Sequence, residues 1–160
     1  MKFPQDIKQH DSLSFDVTYT AVSVGISNAV LNIDNNDSNE VVYNFAFKGT
    51  FKAPEIDIKG NNVSISGGDI IPSRTDSTEY GKIRMNTISS LTYLIINTGT
   101  DTLKITNINI TGTNTSEFTF PSITYPRKLD PGKSMSLTVS FLPKATGLRT
   151  AVINMPIRMH

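Results

Sequence analysis

The side chains that could carry out chemistry are few, and their spacing does not bring them together. Two histidines are present, His10 and His160, and both lie near a terminus. A catalytic triad or a histidine-based metal site needs histidines beside converging partners, so we interpret both as solvated residues. No spacing between the acidic residues of the central region predicts the carboxylate separation of a glycosidase. These residues are Asp57, Asp69, Asp76 and Glu79.

One polar stretch has the alternate spacing of a calcium-binding loop, with oxygen-bearing side chains at positions 34, 36, 38 and 40. Such a loop needs glycine at its sixth position and a bidentate glutamate at its twelfth. Asn39 and Phe45 occupy these two positions. The stretch therefore predicts a hairpin turn, and we predict no catalytic, cofactor-binding or metal-binding residue in the chain.

Three tyrosines offer the remaining candidate site, because aromatic rings can form a sugar-binding platform. They are Tyr80, Tyr93 and Tyr125. Tyr93 lies on the apolar side of an alternating run, so we interpret it as a core residue. A carbohydrate-binding or protein-binding role stays open as an alternative.

Composition narrows the class of protein. The chain has 160 residues, a formal net charge of +1, 38% hydrophobic residues and no cysteine. A near-neutral charge without a basic run gives no electrostatic support for nucleic acid or anionic membranes as partners. No stretch approaches the ~20 apolar residues that span a bilayer, so membrane insertion is not expected. Many β-branched residues and frequent Asn, Gly and Asp predict an all-β fold.

The elements that would position any site are short runs in which apolar and polar residues alternate, a pattern that predicts half-buried strands. The two clearest runs are Leu13–Tyr19 and Met135–Phe141. Further runs are Ala29–Ile33, Val41–Phe47, Ile56–Ile58, Val63–Ile65, a weaker one around Ile83, Leu91–Ile95, Leu103–Ile110 with a phase slip typical of a bulge, and Ala151–Met155.

Turn signals separate these runs. Asn97-Thr98-Gly99-Thr100 predicts a tight turn in which Gly99 supplies a positive φ. Asp130-Pro131-Gly132-Lys133 has proline second and glycine third, as a type II turn prefers.

The two ends of the chain resemble each other. Residues 3–33 align without gaps on residues 125–155 at an offset of 122, with eight identical pairs. The apolar positions of Leu13–Tyr19 coincide with those of Met135–Phe141, so the strand register is kept. The identical pairs include Gly25 with Gly147. Self-similarity at a fixed offset predicts repeated structural units, here equivalent strands of two successive sandwiches.

A set of short motifs follows one another in a fixed order and covers most of residues 12–155. The motifs of the second copy are Pro54–Asn61, Thr78–Gly81, Ile96–Leu103, Ile110–Gly112, Ser116–Phe118, Leu129–Gly132, Val139–Pro143 and Gly147. The first copy carries a closing pattern in Gly25, Ala29–Leu31, Asn35–Ser38 and Tyr43–Gly49. In this order the motifs resemble the bacterial choice-of-anchor D domain, a relative of the Hydin/ASH group of immunoglobulin-like domains, although the expected final hairpin of the second copy is absent.

The resemblance implies tandem immunoglobulin-like β-sandwiches in a large exported bacterial protein, with no catalytic residues. Several such proteins carry sorting signals, including those of the Bacteroidetes type IX secretion pathway. We expect residues 1–50 to be the C-terminal half of one repeat, 51–53 a short linker, and 54–160 a second repeat that lacks its last strand.

The predicted function is a structural or adhesive repeat at the cell surface or outside the cell, acting as a stalk, spacer or interaction module. Its partners would be neighbouring domains of the same long chain, or a protein or glycan bound through loops or edge strands. An intracellular ASH-type scaffold is a further alternative.

Overall fold

The computed structural model describes residues 4–20 and 24–156. The chain divides into two compact units, unit 1 over Met1–Phe51 and unit 2 over Lys52–His160. The described residues form antiparallel β-structure with a single 3₁₀ turn and no α-helix. The predicted all-β class is therefore confirmed.

Unit 1 contains one long hairpin. Strand β1, Gly25–Asp34, pairs antiparallel with β2, Val42–Phe51, and the register runs from Gly25 opposite Phe51 to Asp34 opposite Val42. Asn35 closes the connection, because its backbone N–H donates to Val41 O at 3.0 Å and its Nδ2 to Glu40 O at 2.8 Å. The predicted hairpin is present at the predicted place.

The hairpin has one apolar face, because residues directly opposite each other share a face. Aromatic rings follow one another along it, with centroids 6.4 Å apart for Tyr43 and Phe45 and 5.0 Å apart for Phe45 and Phe47. Tyr43 is 51% exposed and Phe45 is 41% exposed. No described residue of unit 1 is buried, so this face lacks a covering layer within the unit. The face consists of Ala29, Leu31, Ile33, Tyr43, Phe45 and Phe47.

The predicted strand at Leu13–Tyr19 is wrong. This segment has no regular secondary structure, and its apolar side chains are exposed, from 38% for Leu13 to 55% for Val17. Alternation marks a segment that suits a sheet, but a strand forms only where a neighbour supplies backbone hydrogen bonds. Tyr19 contacts the hairpin, where its hydroxyl donates to Ser27 Oγ at 3.0 Å.

Unit 2 contains nine strands and a 3₁₀ turn at Thr115–Glu117 within its described residues. A five-stranded antiparallel sheet has the order β4-β3-β5-β10-β8, and the pairs β11-β7 and β6-β9 complete the unit. The strands are β3 Ile56–Gly60, β4 Val63–Ser64, β5 Ser89–Asn97, β6 Leu103–Ile105, β7 Asn109–Thr111, β8 Phe118–Thr119, β9 Arg127–Leu129, β10 Ser134–Phe141 and β11 Val152–Asn154.

The core of unit 2 lies between the five-stranded sheet and the β6-β9 pair. Buried side chains alternate along β5 and β10, as the sequence pattern predicts for strands with one face in a core. They form one cluster with residues of β6 and β9 and the residue before β7. Its members are Tyr93, Ile95, Leu103, Ile105, Ile108, Leu129, Leu137 and Val139.

Two details of unit 2 differ from the sequence predictions. No strand forms around Ile83, where the chain runs through turns. The apolar run Leu103–Ile110 is not one bulged strand, since residues 106–108 separate β6 from β7 and the two strands pair with different partners. The phase slip therefore marks a change of sheet.

An aromatic cluster closes one end of the core. Phe141 stacks on Phe118 with centroids 4.6 Å apart, and Tyr80 packs against both rings. The Tyr80 hydroxyl donates to Val139 O at 2.7 Å. Burial raises the pKa of Tyr80 well above its ordinary range. The loop that carries Tyr80 is thereby fixed to β10.

Within the described ranges, no helix is long and apolar enough to cross a membrane.

Candidate functional site

A buried polar site lies where the chain enters unit 2. Asn97, the last residue of β5, is 0% exposed and joins the entering segment to two turns. We call the entering residues Ala53–Glu55 together with the turn Asn97–Asp101 the entry clamp.

The side chain of Asn97 makes four hydrogen bonds. Its Nδ2 donates to Asp101 O at 2.7 Å and to Leu129 O at 2.8 Å. Its Oδ1 accepts from Gly99 N at 3.0 Å and from Glu55 N at 3.3 Å. A buried amide costs free energy unless its donors and acceptor are paired, and here all of them are.

Backbone hydrogen bonds tie the entering segment to the same turn. Thr98 N donates to Glu55 O at 2.8 Å, and Thr100 N donates to Ala53 O at 2.8 Å. Asp101 N reaches the same Ala53 oxygen at 3.2 Å, and Ala53 N donates to Thr100 Oγ1 at 3.2 Å. The backbone of the entering segment is therefore held from Ala53 onward.

Gly99 permits this close approach of two backbones. A Cβ at this position would lie 2.4 Å from Ala53 O and 2.4 Å from Glu55 N. The expectation that Gly99 supplies a positive φ is wrong, because its φ lies outside the left-handed region. The need for glycine is one of space and not of backbone conformation.

A second turn completes the site from the other side of Asn97. Gly132 has a φ of 74°, and Lys133 N donates to Asp130 O at 2.9 Å, which confirms the predicted type II geometry. Gly132 N donates to Asn97 O at 2.9 Å, and Asn97 N donates to Lys133 O at 3.0 Å. The turn thus sets the register with which β10 joins β5.

An ion pair forms a separate polar site at the other end of β10. Glu117 is 4% exposed and accepts from Arg149 Nε through both carboxylate oxygens, at 3.1 and 3.0 Å, while the Nη2 of Arg149 also contacts Oε1. The Arg149 hydrogen bonds hold the pKa of Glu117 below its ordinary value. Glu117 O also accepts from Leu142 N at 2.8 Å. The pair therefore connects the loop before β11 to the end of β10.

The four central acidic residues do not converge. Asp57 accepts from Ser64 Oγ at 3.1 Å, and Glu79 lies 3.6 Å from Arg74 Nε. Asp69 accepts from the backbone of Ile71, and Asp76 from Thr78. Each carboxylate therefore interacts with residues of its own turn or of the neighbouring strand.

The stretch with calcium-like spacing is the hairpin connection of unit 1. Its side chains bond to its own backbone, since Asn35 Oδ1 accepts from Asp37 N at 2.7 Å and Asp37 Oδ1 from Asn39 N at 3.2 Å. Among the residues that the structure describes, no three His, Cys, Asp or Glu side chains group as metal ligands. His10 lies exposed in a turn, and His160 lies outside the described residues.

The three tyrosines do not form an exposed platform. Tyr93 is 7% exposed, and its hydroxyl donates to Ser77 O at 2.8 Å. Tyr80 is half-buried among phenylalanines, and Tyr125 packs against the core. Exposed aromatic side chains lie instead in unit 1, among them Tyr43 and Phe45 of the hairpin.

Sequence reasoning placed the turns around Asn97 and Gly132 but missed that they share one buried asparagine. The only sequence signal is an asparagine at the end of an apolar alternating run, where a strand residue would point into the core. The Glu117–Arg149 pair has no signal, because 32 positions separate its members.

Comparisons with family models, curated proteins and solved structures find no match for this chain.

Proposed function

We propose that this chain is a non-catalytic, immunoglobulin-like repeat segment of a large bacterial surface or secreted protein, acting as a stalk or spacer and as an interaction module. The observation that carries the proposal is the entry clamp. A spacer needs its chain held where it enters each unit, and the backbone of residues 53–55 is bonded to the turn after β5.

The immunoglobulin-like assignment draws on the layering of unit 2. A five-stranded sheet packs against further antiparallel strands over one apolar core, the general arrangement of two-sheet β proteins. The choice-of-anchor D resemblance draws on pieces that here have structural roles. Asn97 and Gly99 belong to the clamp, and Gly132 bonds to Asn97. Glu117 is one member of the ion pair, and Gly147 lies two residues before the other member, Arg149.

Labelling of intact cells tests this proposal. Antibodies raised against unit 2 should bind unpermeabilised cells of the source organism or its culture medium. Labelling that appears only after permeabilisation would contradict the surface role and favour an intracellular scaffold. An antibody against an abundant cytoplasmic protein serves as the control for cell integrity.

A binding module is the second candidate, and the exposed aromatic face of the hairpin favours it. Tyr43 and Phe45 present rings on a surface that unit 1 leaves uncovered, and exposed aromatic patches mark interaction sites. A glycan array probed with the native chain and with a Tyr43→Ser variant tests carbohydrate binding. Signal lost in the variant would support it, and an array without signal would count against it.

A further inference from the structure

The apolar face of the hairpin needs a covering layer. A two-stranded hairpin with no buried residue is at best marginally stable in water. The alternating aromatic residues of β2 are typical of a strand that faces a core. The internal repeat of the chain indicates which surface could cover these rings.

At two points the repeat extends from sequence to backbone geometry, although Leu13–Tyr19 forms no strand where Met135–Phe141 does. His10 aligns with Gly132, and both have a left-handed φ, of 66° and 74°. The turn bonds match as well, with Asp11 N to Lys8 O at 3.0 Å and Lys133 N to Asp130 O at 2.9 Å. Gly25 and Gly147 align, and their φ values are 124° and 99°.

Strand β1 aligns with β11, and their sequences match where the strand meets its neighbour. Ala29-Val30-Leu31-Asn32 corresponds to Ala151-Val152-Ile153-Asn154, so three of the four residues are identical. In unit 2, β11 pairs with β7, and none of the described strands pairs with its other edge. In unit 1, β2 is the one described strand that pairs with β1. Among the described residues, β11 therefore has no counterpart of β2, and β1 has no counterpart of β7.

The sequence of β1 repeats the features with which β11 packs beside β7. Asn154 Nδ2 donates to Thr111 Oγ1 at 2.7 Å, and Asn32 has the same side chain. Gly112 lies against Ala151, with a Cβ built on Gly112 only 3.3 Å from Ala151 Cα, and Ala29 is equally small. Ile153 packs on the core, and Leu31 conserves its apolar character.

We propose that the hairpin of one copy docks on unit 2 of a second copy, with β1 taking the place of β11 beside β7. β2 then becomes the added outer strand, and the aromatic face covers the edge of the core. β7 has three residues, so β1 can make the same pairing with it as β11 does, and β1 brings β2 with it as a ten-residue partner. The contact joins two different surfaces, the hairpin of one copy and β7 of another. Two copies can therefore each dock a hairpin on the other to form a dimer, or successive copies can form a chain.

Cysteine cross-linking tests this contact, since the chain has no native cysteine. Val152 pairs with Thr111 and both are exposed, so Val30 would occupy the position of Val152. A Val30→Cys chain mixed with a Thr111→Cys chain under mild oxidation should give a disulfide-linked heterodimer. A Val152→Cys/Thr111→Cys chain, which should close internally, shows that this pair of positions can form the bond.

The matched control is an Asp37→Cys chain mixed with the Thr111→Cys chain. Asp37 is exposed at the far end of the hairpin, so it should give little heterodimer. Equal cross-linking of both mixtures would overturn the proposal, as would sedimentation of the native chain as a monomer at every concentration. Those results would leave the proposed spacer role standing, because cell labelling tests that role separately.

Discussion

At the scale of single residues, two buried polar side chains hold the ends of unit 2 in place. Asn97 joins the entering segment to two turns, and Glu117 joins the loop before β11 to the end of β10. Neither side chain is exposed by more than 4%. Buried polar groups are stabilising only when their partners are complete, so loss of one partner is expected to be costly.

Gly99→Ala tests the close approach in the entry clamp. The new Cβ would overlap the backbone of Ala53 and Glu55, so the entering segment must move away and lose hydrogen bonds. We expect unit 2 to lose about 2 kcal/mol of unfolding free energy, the usual cost of overpacking. Chemical denaturation measures the loss.

The matched control is Gly67→Ala. A Cβ at Gly67 meets nothing within 4 Å, and its φ is not left-handed, so stability should stay within about 0.5 kcal/mol. Equal stability of the two variants would show that the clamp does not hold the segment as described.

The second prediction concerns how the stability of the chain depends on acid, to which Glu117 contributes. The Arg149 hydrogen bonds lower the pKa of Glu117 in the folded chain below its ordinary value of 4.5. The unfolded chain therefore takes up a proton first as the pH falls. The contribution of the Glu117–Arg149 pair to the free energy of unfolding is fully present above pH 4.5. It is lost as the pH falls through the pKa that Glu117 has in the folded chain. Denaturation curves across this range should show the loss in the native chain.

Glu117→Gln removes the titrating group, so this variant should be less stable than the native chain at neutral pH and less sensitive to acid. Glu79→Gln is the control, because Glu79 faces Arg74 at the surface with 46% of its side chain exposed. An unchanged acid response in Glu117→Gln would contradict the assigned role.

At the scale of elements, the same sequence pattern leads to two outcomes. Met135–Phe141 lies within β10, which pairs with β5 and β8. Leu13–Tyr19 has the equivalent alternation but no regular structure. The described part of unit 1 holds no counterpart of β5 or β8 beside it, and pairing partners are not encoded within the segment itself.

The sequence therefore predicts local features better than long-range ones. The hairpin, the turn at Gly132 and the strands with buried alternating residues were predictable, because each depends on neighbouring residues. The role of Gly99, the buried Asn97 hydrogen bonds and the Glu117–Arg149 pair were not, because each depends on segments brought together from more than 30 positions away. The strand expected around Ile83 does not form for the same reason, since this segment pairs with none of the strands that the structure describes.

Hydrogen exchange tests whether the central strands of unit 2 are better protected than the hairpin of unit 1. β5 lies between β3 and β10, and β10 pairs with β5 along its full length. Both strands cover the core, so their amides should exchange slowest. Amides of β1 and β2 in the monomeric chain should exchange much faster, because no described residue of unit 1 is buried. Mass spectrometry of peptides from each strand measures both rates. Equal protection of the hairpin and the central strands in a monomer would contradict this assignment.

At the scale of the whole molecule, the two units differ in kind. Unit 2 has an apolar core, two polar sites that fix its ends and an aromatic cluster. Unit 1 has a hairpin with an uncovered apolar face. We therefore expect unit 2 to supply mechanical strength and the hairpin of unit 1 to supply the docking element for association.

Single-molecule pulling of the full chain through its two ends tests the central claim most directly. We predict one discrete unfolding step with a length gain of roughly 350 Å, as expected for the residues of unit 2. The force of this step should fall in Gly99→Ala and stay unchanged in Gly67→Ala. Gradual extension without a discrete step, or the same force in both variants, would contradict a spacer unit held by its entry clamp.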